Sequence, residues 1–221
     1  MAGYVLYGAV GSGAVAVEAA LRLMGQPYEL IEAVTFDEDH PESGDKVLGA
    51  NPMRQVPALV LPSSEVMTES AAILIRLCEL HPQARLAPGP DDPARSQFLR
   101  WMSFVSAAIY SLYWVKDDPS RLAPDEAAQE PLVQRCLERI SDCWAIMNDQ
   151  VEPGRWILGE ELSVLDLYVT VVSRFQPRRK RFYAAAPKLA PIVQAVDALP
   201  ELADFWPERY PFEPGWDRLP A

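Results

Sequence analysis

The chain opens with two short apolar runs on either side of a helical pattern. Residues 4–9 (YVLYGA) and 28–34 (YELIEAV) carry the aromatic and β-branched side chains that favour strands. Between them, residues 14–24 place apolar side chains at helical spacing, and Gly25 follows where a helix commonly ends. This part of the sequence therefore predicts a β-α-β unit.

A second pair of apolar runs follows an acidic, turn-rich segment at 37–45. The runs VPALVL and EVMT flank Pro62-Ser63-Ser64, a combination that indicates a hairpin. A helical pattern then extends from about Ser70 to Leu80. The predicted order is β-α-β, an irregular segment, and β-β-α.

Beyond residues 81–93, which are rich in proline and typical of a linker, the pattern is helical. The helical stretches predicted there cover residues 94–116, 126–150, 163–175 and 187–199. The second half of the chain is therefore expected to be all-α.

One helix start is marked in detail by the stretch Leu162-Ser163-Val164-Leu165-Asp166-Leu167. Ser163 is placed to cap the helix while the Asp166 carboxylate reaches back, and Leu162 and Leu167 form the matching hydrophobic staple. We interpret this motif as structural, not catalytic.

With 49% apolar and 23% charged residues, the 221-residue chain is globular. Its formal charge of -11 would repel nucleic acid and anionic lipid. No apolar run approaches the roughly 20 residues that span a bilayer, and the first residues lack a secretory signal pattern. We therefore expect a cytoplasmic protein with small-molecule or protein partners, and no binding to nucleic acid or membranes.

The cysteines and histidines argue against several kinds of site. Cys78, Cys136 and Cys143 fall in amphipathic helical patterns and are expected to be core thiols, so neither a disulfide nor a metal site is predicted. Only His40 and His81 are present, which argues against a histidine-rich zinc site and a Ser-His-Asp triad.

The first motif that can carry chemistry is glycine-rich. Residues 11–16 (GSGAVA) match the G-x-G-x-x-G/A pattern of dinucleotide-binding turns, with Glu32 nearly 20 residues later. That fold continues with parallel βαβ units, whereas a hairpin is predicted here. A glycine-rich turn in which Ser12 caps the first helix is favoured, and a nicotinamide-dependent oxidoreductase is the alternative.

The second motif is Thr68-Glu69-Ser70, where a carboxylate and a hydroxyl meet at a helix start. A helix N-terminus attracts anions, so the Ser70 hydroxyl and nearby N–H groups can hold a carboxylate while Glu69 binds an ammonium group. Together they fit the head of an amino acid. Taken alone, Ser70 is more often a helix cap.

Pro57 interrupts the third apolar run. Proline has no N–H for a sheet ladder and is found at strand edges, strand starts or bulges. A trans proline at the strand start is one interpretation. A cis Val56–Pro57 bond, which would re-aim the backbone and leave an N–H and a C=O free, is the other.

Three motifs together resemble those of the glutathione S-transferase superfamily. They are Val56-Pro57-Ala58-Leu59, Glu69-Ser70-Ala71-Ala72-Ile73 and the Ser163/Asp166 capping box, and their order and spacing cover nearly the whole chain. The resemblance implies an α/β thioredoxin-like N-terminal domain and an all-α helical-bundle C-terminal domain, in a homodimer. The corresponding boundaries are 1–82 for the first domain, 83–93 for the linker and 94–221 for the helical domain.

The resemblance also implies a function and a binding site. A transferase of this family activates the thiol of its co-substrate glutathione for attack on a small apolar electrophile, without a metal. Pro57 would be cis, and the Val56 backbone would pair with the cysteinyl part of glutathione. Gln55 would lie near the glycyl end, and Glu69 and Ser70 would hold the γ-glutamyl head.

Other functions on this scaffold stay open. They are a glutathione-dependent isomerase or dehalogenase, and a catalytically idle glutathione-binding or interaction protein. Family members often place a basic or histidine side chain near the glycine carboxylate, whereas residues 37–47 are mostly acidic, with only His40 and Lys46. No cysteine lies in the predicted β1–α1 loop, which disfavours a mixed-disulfide mechanism.

Two hydroxyls compete to activate the thiol: Ser12 at the first helix start and Tyr7 at the end of the first strand. We favour Ser12, because the flanking glycines permit close approach of a ligand and the helix dipole acts on the same spot. The usual serine of the family aligns about one residue earlier, at Gly11. Tyr7 matches the tyrosine position of other branches.

The helical half contributes the expected electrophile pocket. An i, i+3, i+4, i+7 stripe is assigned to the core: Phe98, Trp101, Met102 and Val105. The pocket is assigned to Tyr110, Tyr113 and Trp114. A basic run that includes Arg174 and residues 178–181 is interpreted as a solvated connection between helices that pairs with acids elsewhere, not as a nucleic-acid site.

Overall fold

The computed structural model describes residues 3–37 and 39–211. Its first part contains β1 (Tyr4–Gly8), α1 (Ala14–Leu23), β2 (Tyr28–Glu32), α2 (Glu42–Asp45), β3 (Ala58–Val60), β4 (Val66–Met67) and α3 (Ser70–Leu80). This is the predicted order, with one short helix, α2, in the segment expected to be irregular.

The strands form one mixed sheet in the order β2-β1-β3-β4. β1 is parallel to β2, whereas β3 runs antiparallel to β1 and forms a hairpin with β4. An antiparallel third strand is incompatible with a continuing series of parallel βαβ units. The dinucleotide-binding alternative is therefore wrong for this fold, and the sheet has the arrangement expected of a thioredoxin-like domain.

The second part is helical along its described residues. It contains α4 (Arg95–Phe104), a π-helical stretch (Val105–Tyr110), α5 (Ser111–Asp117), α6 (Glu126–Gln150), α7 (Val164–Val172), α8 (Arg179–Ala185), α9 (Ala190–Asp197) and α10 (Phe205–Arg209). The predicted helices correspond to α4 through α5, α6, α7 and α9, whereas α8 and α10 were not predicted. Residues 212–221 of the predicted helical domain lie outside the described residues.

The core stripe was predicted correctly, since Phe98, Trp101, Met102 and Val105 are all buried. Side chains on β1 alternate between two apolar clusters. Leu6 lies in the main core with α1 and α3, while Tyr7 packs on the opposite face, in a smaller cluster around Ala33 and Ala58. This alternation places Tyr7 on the face away from α1.

The capping box at α7 is confirmed. Asp166 is fully buried, and one of its carboxylate oxygens accepts hydrogen bonds from the Ser163 N–H and hydroxyl, both at 2.8 Å. The other oxygen accepts from the Ile157 N–H at 2.8 Å. Burial raises the pKa of Asp166 to about 6, although these hydrogen bonds act in the opposite direction. The motif fixes the start of α7, as interpreted from the sequence.

The basic run is not the solvated connection expected. Arg174 and Arg179 are fully buried, and both guanidinium groups bind the carboxylate of Asp197 at the end of α9. The Arg174 guanidinium also lies 4.0 Å from the ring centroid of Trp206. Pairing with an acid elsewhere was anticipated correctly, but the solvated placement is wrong because two of these arginines turn into the core.

Candidate functional site

Three turns lie together at one end of the strands, where β1 ends, β3 begins and β4 ends. Tyr7 lies opposite Ala58, so the next residue pair in this register places Gly8 opposite Pro57. Leu59 lies opposite Met67, and two further steps of that register, past the end of the hairpin ladder, bring Glu69 level with Pro57. The β1–α1 turn, the Pro57 turn and the start of α3 therefore share this end of the sheet, which we call the candidate edge.

The Pro57 turn has the backbone geometry that the sequence resemblance implied. The Val56–Pro57 peptide bond is cis. Because β3 begins only at Ala58, the Val56 N–H and C=O lie beyond the sheet ladder. The buried Asn51 side chain donates to the Gln55 carbonyl oxygen at 2.9 Å and fixes the turn from behind. Such a segment can offer strand-like hydrogen bonds to a peptide ligand.

The start of α3 combines an exposed carboxylate with a buried hydroxyl. Glu69 has φ 64°, in the left-handed region that residues other than glycine rarely occupy. Within the described part of the chain, its carboxylate makes no hydrogen bond or ion pair. Ser70 is 5% exposed, and its Oγ lies 2.9 Å from the Tyr168 hydroxyl of α7. A free carboxylate and a helix N-terminus therefore stand side by side.

Ser12 acts as a local cap in the β1–α1 turn. Its Oγ accepts from the Ala9 N–H at 3.3 Å and the Ala14 N–H at 3.2 Å, and its proton is donated to the Ala9 carbonyl oxygen at 2.7 Å. The side chain is buried. To donate to a thiolate, Ser12 would have to give up its bond to Ala9, so this geometry supports the capping interpretation over the preferred catalytic one.

Of the two hydroxyl residues, Tyr7 is better placed than Ser12 to donate a hydrogen bond to a thiol. It is half-buried on the sheet face that carries Ala58, and Val56 packs against the same small cluster. Val56 lies two residues before Ala58, the cross-strand partner of Tyr7, so Val56 and Tyr7 are diagonal neighbours. Such neighbours on one face lie about 7–8 Å apart, within reach of an aromatic side chain. Among the described residues, none hydrogen-bonds to the Tyr7 hydroxyl. Its proton is therefore available at the candidate edge.

Tyr110 reaches the same edge from the helical part. A Cβ built on Gly13 would stand 2.2 Å from the Tyr110 hydroxyl, so only glycine fits at this position. Burial raises the pKa of Tyr110 far above its usual range, although the nearby Gly13 N–H acts in the opposite direction. The phenol therefore lies neutral at the N-terminus of α1.

The three aromatic residues predicted to form the electrophile pocket do not share one. Tyr113 is 4% exposed and packs against Phe175 with ring centroids 5.1 Å apart, so it belongs to the core. Trp114 is 43% exposed and lies under the Arg121 guanidinium, 4.7 Å from its ring centroid. Helical spacing sends the Trp114 side chain outward. Of the three residues, Tyr110 alone stands at the candidate edge.

Arg54, a residue that sequence reasoning missed, organises the acidic segment. It has φ 56°, binds the Asp45 carboxylate at 2.8 Å and donates to the Thr35 carbonyl oxygen at 3.2 Å. Lys46 donates to the Glu32 carbonyl oxygen at 3.2 Å. Arg54 and Lys46 are therefore both engaged with the protein, and Arg54 directly precedes Gln55.

The C-terminal helix α10 holds the β1–α1 turn from the other side. The Gly11 N–H donates to the Arg209 carbonyl oxygen at 3.0 Å, and Gly11 has φ 72°, a conformation that favours glycine. The Arg209 guanidinium binds the fully buried Glu18 of α1 at 2.7 and 3.0 Å, and also binds Glu32. Nothing local in the sequence signals these contacts, which join residues nearly 200 positions apart.

Other kinds of site have little support in the described residues. Cys78, Cys136 and Cys143 are free and buried, as expected. No cluster of three or more histidine, cysteine or acidic side chains there could hold a metal ion. Across residues 3–37 and 39–211, no helix has both the length and the apolar character needed to span a membrane.

Comparison with known proteins agrees with this architecture. Residues 14–80 match the family described as "Glutathione S-transferase, N-terminal domain". The uncharacterized GST-like protein YncG of Escherichia coli K12 is 31% identical over 199 residues, which cover 90% of this chain and 95% of that protein. The glutathione S-transferase GstA of Escherichia coli O157:H7 is 25% identical, over 88% and 92% of the two chains.

Solved structures give the same result. A glutathione transferase homologue from Sulfitobacter, crystallised with bound glutathione, superposes on this chain with a TM-score of 0.80 at 26% identity. The match covers 94% of this chain and 99% of the other. The fold of a thioredoxin-like domain followed by a helical domain is thereby confirmed.

Proposed function

Because the chain belongs to the glutathione S-transferase superfamily, we propose that it is a glutathione transferase that promotes attack of the glutathione thiol on a small apolar electrophile. The observation that carries this proposal is the placement of the Val56–Pro57 turn opposite the Glu69–Ser70 helix start on one edge of the sheet. A peptide ligand lying across that edge would meet an open backbone segment and a pair of head-group ligands.

The role of each site residue follows from its chemistry. Val56 offers its backbone to the cysteinyl part of glutathione, and Gln55 lies next to it at the glycyl side. The Glu69 carboxylate binds the ammonium of the γ-glutamyl head, while Ser70 and the α3 N-terminus bind its carboxylate. No group of the described residues pairs with the Glu69 carboxylate, and this supports the assignment.

The thiol would then lie at the candidate edge, where the end of β1 brings Tyr7 and the start of α1 together. We propose that the Tyr7 hydroxyl donates to the thiolate, while Ser12 holds the turn that shapes the site. Tyr110 lines the electrophile side, where its neutral phenol is a hydrogen-bond donor at neutral pH.

We also propose a cytoplasmic homodimer, with domains at 1–82 and 94–221 joined by a linker at 83–93. Three buried free thiols support a reducing compartment. Phe36 and Met53 are 63% and 68% exposed, and these apolar side chains support a contact between subunits. Sedimentation velocity at micromolar concentration should give a mass of two chains, and a single-chain mass would contradict the dimer.

A thermal-shift titration tests the ligand class. A ligand present at 100 times its Kd adds about 2.7 kcal/mol of stability. Glutathione should raise the melting temperature, whereas NAD(H) and NADP(H) should leave it unchanged. Stabilisation by a nicotinamide nucleotide alone would overturn the proposal. Binding of glutathione without turnover on a broad electrophile panel would favour an idle binder, and turnover confined to isomerisation or dehalogenation would favour those activities.

Ser70→Ala is expected to raise the KM for glutathione about tenfold or more. Removing a hydrogen bond to a charged group costs roughly 1.5–3 kcal/mol, and each 1.4 kcal/mol is a tenfold change in affinity. Glu69→Gln should act in the same direction, because it removes the charge that pairs with the ammonium. Steady-state kinetics with varied glutathione measures both effects.

Ser63→Ala is the matched control for these variants, since Ser63 lies in the exposed turn at the far end of the β3–β4 hairpin. Its KM should equal that of the parent protein. An unchanged KM in both Ser70→Ala and Glu69→Gln would remove the γ-glutamyl assignment.

A further inference from the structure

A buried tyrosine of the helical part places its hydroxyl at the start of α3. Tyr168 of α7 is fully buried, and its hydroxyl lies 2.9 Å from Ser70 Oγ. The Ser106 side chain, in the π-helical stretch, lies near the same hydroxyl and lowers the pKa of Tyr168 in the manner of a hydrogen-bond donor. Ser70, Tyr168 and Ser106 therefore form a chain of three hydroxyls that ends at the candidate edge.

The direction of hydrogen bonding along this chain decides what Ser70 can do. A hydroxyl has one proton to donate. If Ser70 donates to Tyr168, its proton is no longer available to a ligand. If Tyr168 donates to Ser70, the serine proton is free to point out of the protein, and Ser106 can donate to Tyr168 in turn.

A bound carboxylate selects between these two directions. An ionised carboxylate only accepts hydrogen bonds, so Ser70 must be the donor to it. Ser70 then needs a donor behind it to keep its buried oxygen satisfied, and buried polar atoms are costly to leave unpaired. Within the described residues, Tyr168 is the side chain in hydrogen-bond contact with Ser70 that can supply that proton.

We propose that Tyr168 is a positioning residue for the glutathione head group, which turns the Ser70 proton toward the ligand carboxylate by donating its own proton to Ser70 Oγ. This inference rests on the proposed function, because it needs a carboxylate at Ser70. Hydroxyls that donate to one another in a single direction polarise one another. The Tyr168 hydrogen bond to Ser70 therefore strengthens the hydrogen bond from Ser70 to the ligand carboxylate.

The electrostatic setting keeps Tyr168 able to donate. Burial raises the pKa of Tyr168 to about 12, so the phenol stays protonated throughout the pH range of an activity assay. Glu69, whose negative charge acts in the same direction, is the neighbouring carboxylate of the head-group site.

Tyr168→Phe should raise the KM for glutathione roughly three- to tenfold while kcat at saturating glutathione changes less than about twofold. This range corresponds to the loss of one neutral hydrogen bond. Ser106→Ala should produce a smaller increase in the same parameter. A merely structural role of the tyrosine would not confine the effect to the KM for glutathione. Tyr183→Phe, which alters another buried tyrosine of the helical part, is the control and should change neither parameter.

A double-mutant cycle separates this inference from the proposed function. In the Ser70→Ala background, Tyr168→Phe should raise the KM no further, because the hydroxyl that it orients is gone. A glutathione analogue without the γ-glutamyl α-carboxylate should bind equally well to the parent and to Tyr168→Phe.

Three results would overturn the inference, and they differ in whether the proposed glutathione site is also wrong. If Ser70→Ala raises the KM and Tyr168→Phe does not, the Tyr168 role is wrong and the glutathione site stands. If Ser70→Ala and Glu69→Gln both leave the KM unchanged, the site itself is wrong. If the two effects of Ser70→Ala and Tyr168→Phe add fully, Tyr168 acts on something other than Ser70. Should Tyr168→Phe fold poorly, Ser106→Ala takes its place in the same cycle.

Discussion

Asp197→Ala is expected to lower the free energy of unfolding by about 3–5 kcal/mol, the usual cost of removing one partner from a buried ion pair. The Asp197 carboxylate binds both Arg174 and Arg179, and both arginines are fully buried. Its loss would leave two buried cations without that counter-charge. Urea denaturation followed by circular dichroism measures the change.

Glu138→Ala is the matched control for this prediction. Glu138 pairs with Arg135 on the surface of α6 at 3.0 Å, and both side chains are exposed. Exposed pairs of this kind contribute on the order of 0.5 kcal/mol. If Asp197→Ala were as mild as Glu138→Ala, the buried network would not stabilise the fold. Asp197→Asn, which keeps the shape and removes the charge, should fall between the two.

Such a network escapes sequence reasoning, because nothing local marks it. A run of basic residues in an acidic protein has the same pattern whether it is solvated or buried. The acid that decides between the two comes about 20 residues later, in α9. The helices α8 and α10 were missed for a related reason: they have seven and five residues, too few for a helical period to show.

Other features were predictable because their signals are local. The order of strands and helices along the first part of the chain followed from short apolar runs and a hairpin turn, and the Ser163/Asp166 box lies within four residues. Pro57 indicated an irregular backbone because proline is rare inside a strand. The contacts of Ser70 with Tyr168, and of Gly11 with Arg209, join distant positions through tertiary packing, so a periodic pattern carries no information on them.

The choice between Ser12 and Tyr7 shows what the structure adds. Sequence alone favoured Ser12, since a hydroxyl between two glycines at a helix start suits a thiolate. The structure gives that hydroxyl three local hydrogen bonds, one of which uses its proton. Along residues 3–37 and 39–211, no group accepts a hydrogen bond from the Tyr7 hydroxyl, and Tyr7 shares a sheet face with Val56.

Tyr7→Phe is therefore expected to lower kcat/KM at neutral pH by up to about 100-fold and to move the acidic limb of its pH profile to higher pH. A cysteine thiol has a pKa of about 8.5, and lowering it by two units takes about 2.7 kcal/mol of thiolate stabilisation. A hydrogen bond to a charged group provides roughly 1.5–3 kcal/mol, and the α1 N-terminus adds about 0.3–1. One hydroxyl is thus enough, and its removal raises the thiol pKa.

Ser12→Ala serves as the paired variant, because it removes a helix cap without touching Tyr7. It should lower the free energy of unfolding by about 0.5–2 kcal/mol and leave the acidic limb unmoved. Measuring kcat/KM against pH for both variants, at a temperature where each is fully folded, decides the assignment. If Ser12→Ala shifts the limb upward while Tyr7→Phe leaves it in place, Ser12 is the activating group. In that case glutathione binding must break the Ser12 bond to the Ala9 carbonyl, and the freed carbonyl would need a new donor from the ligand.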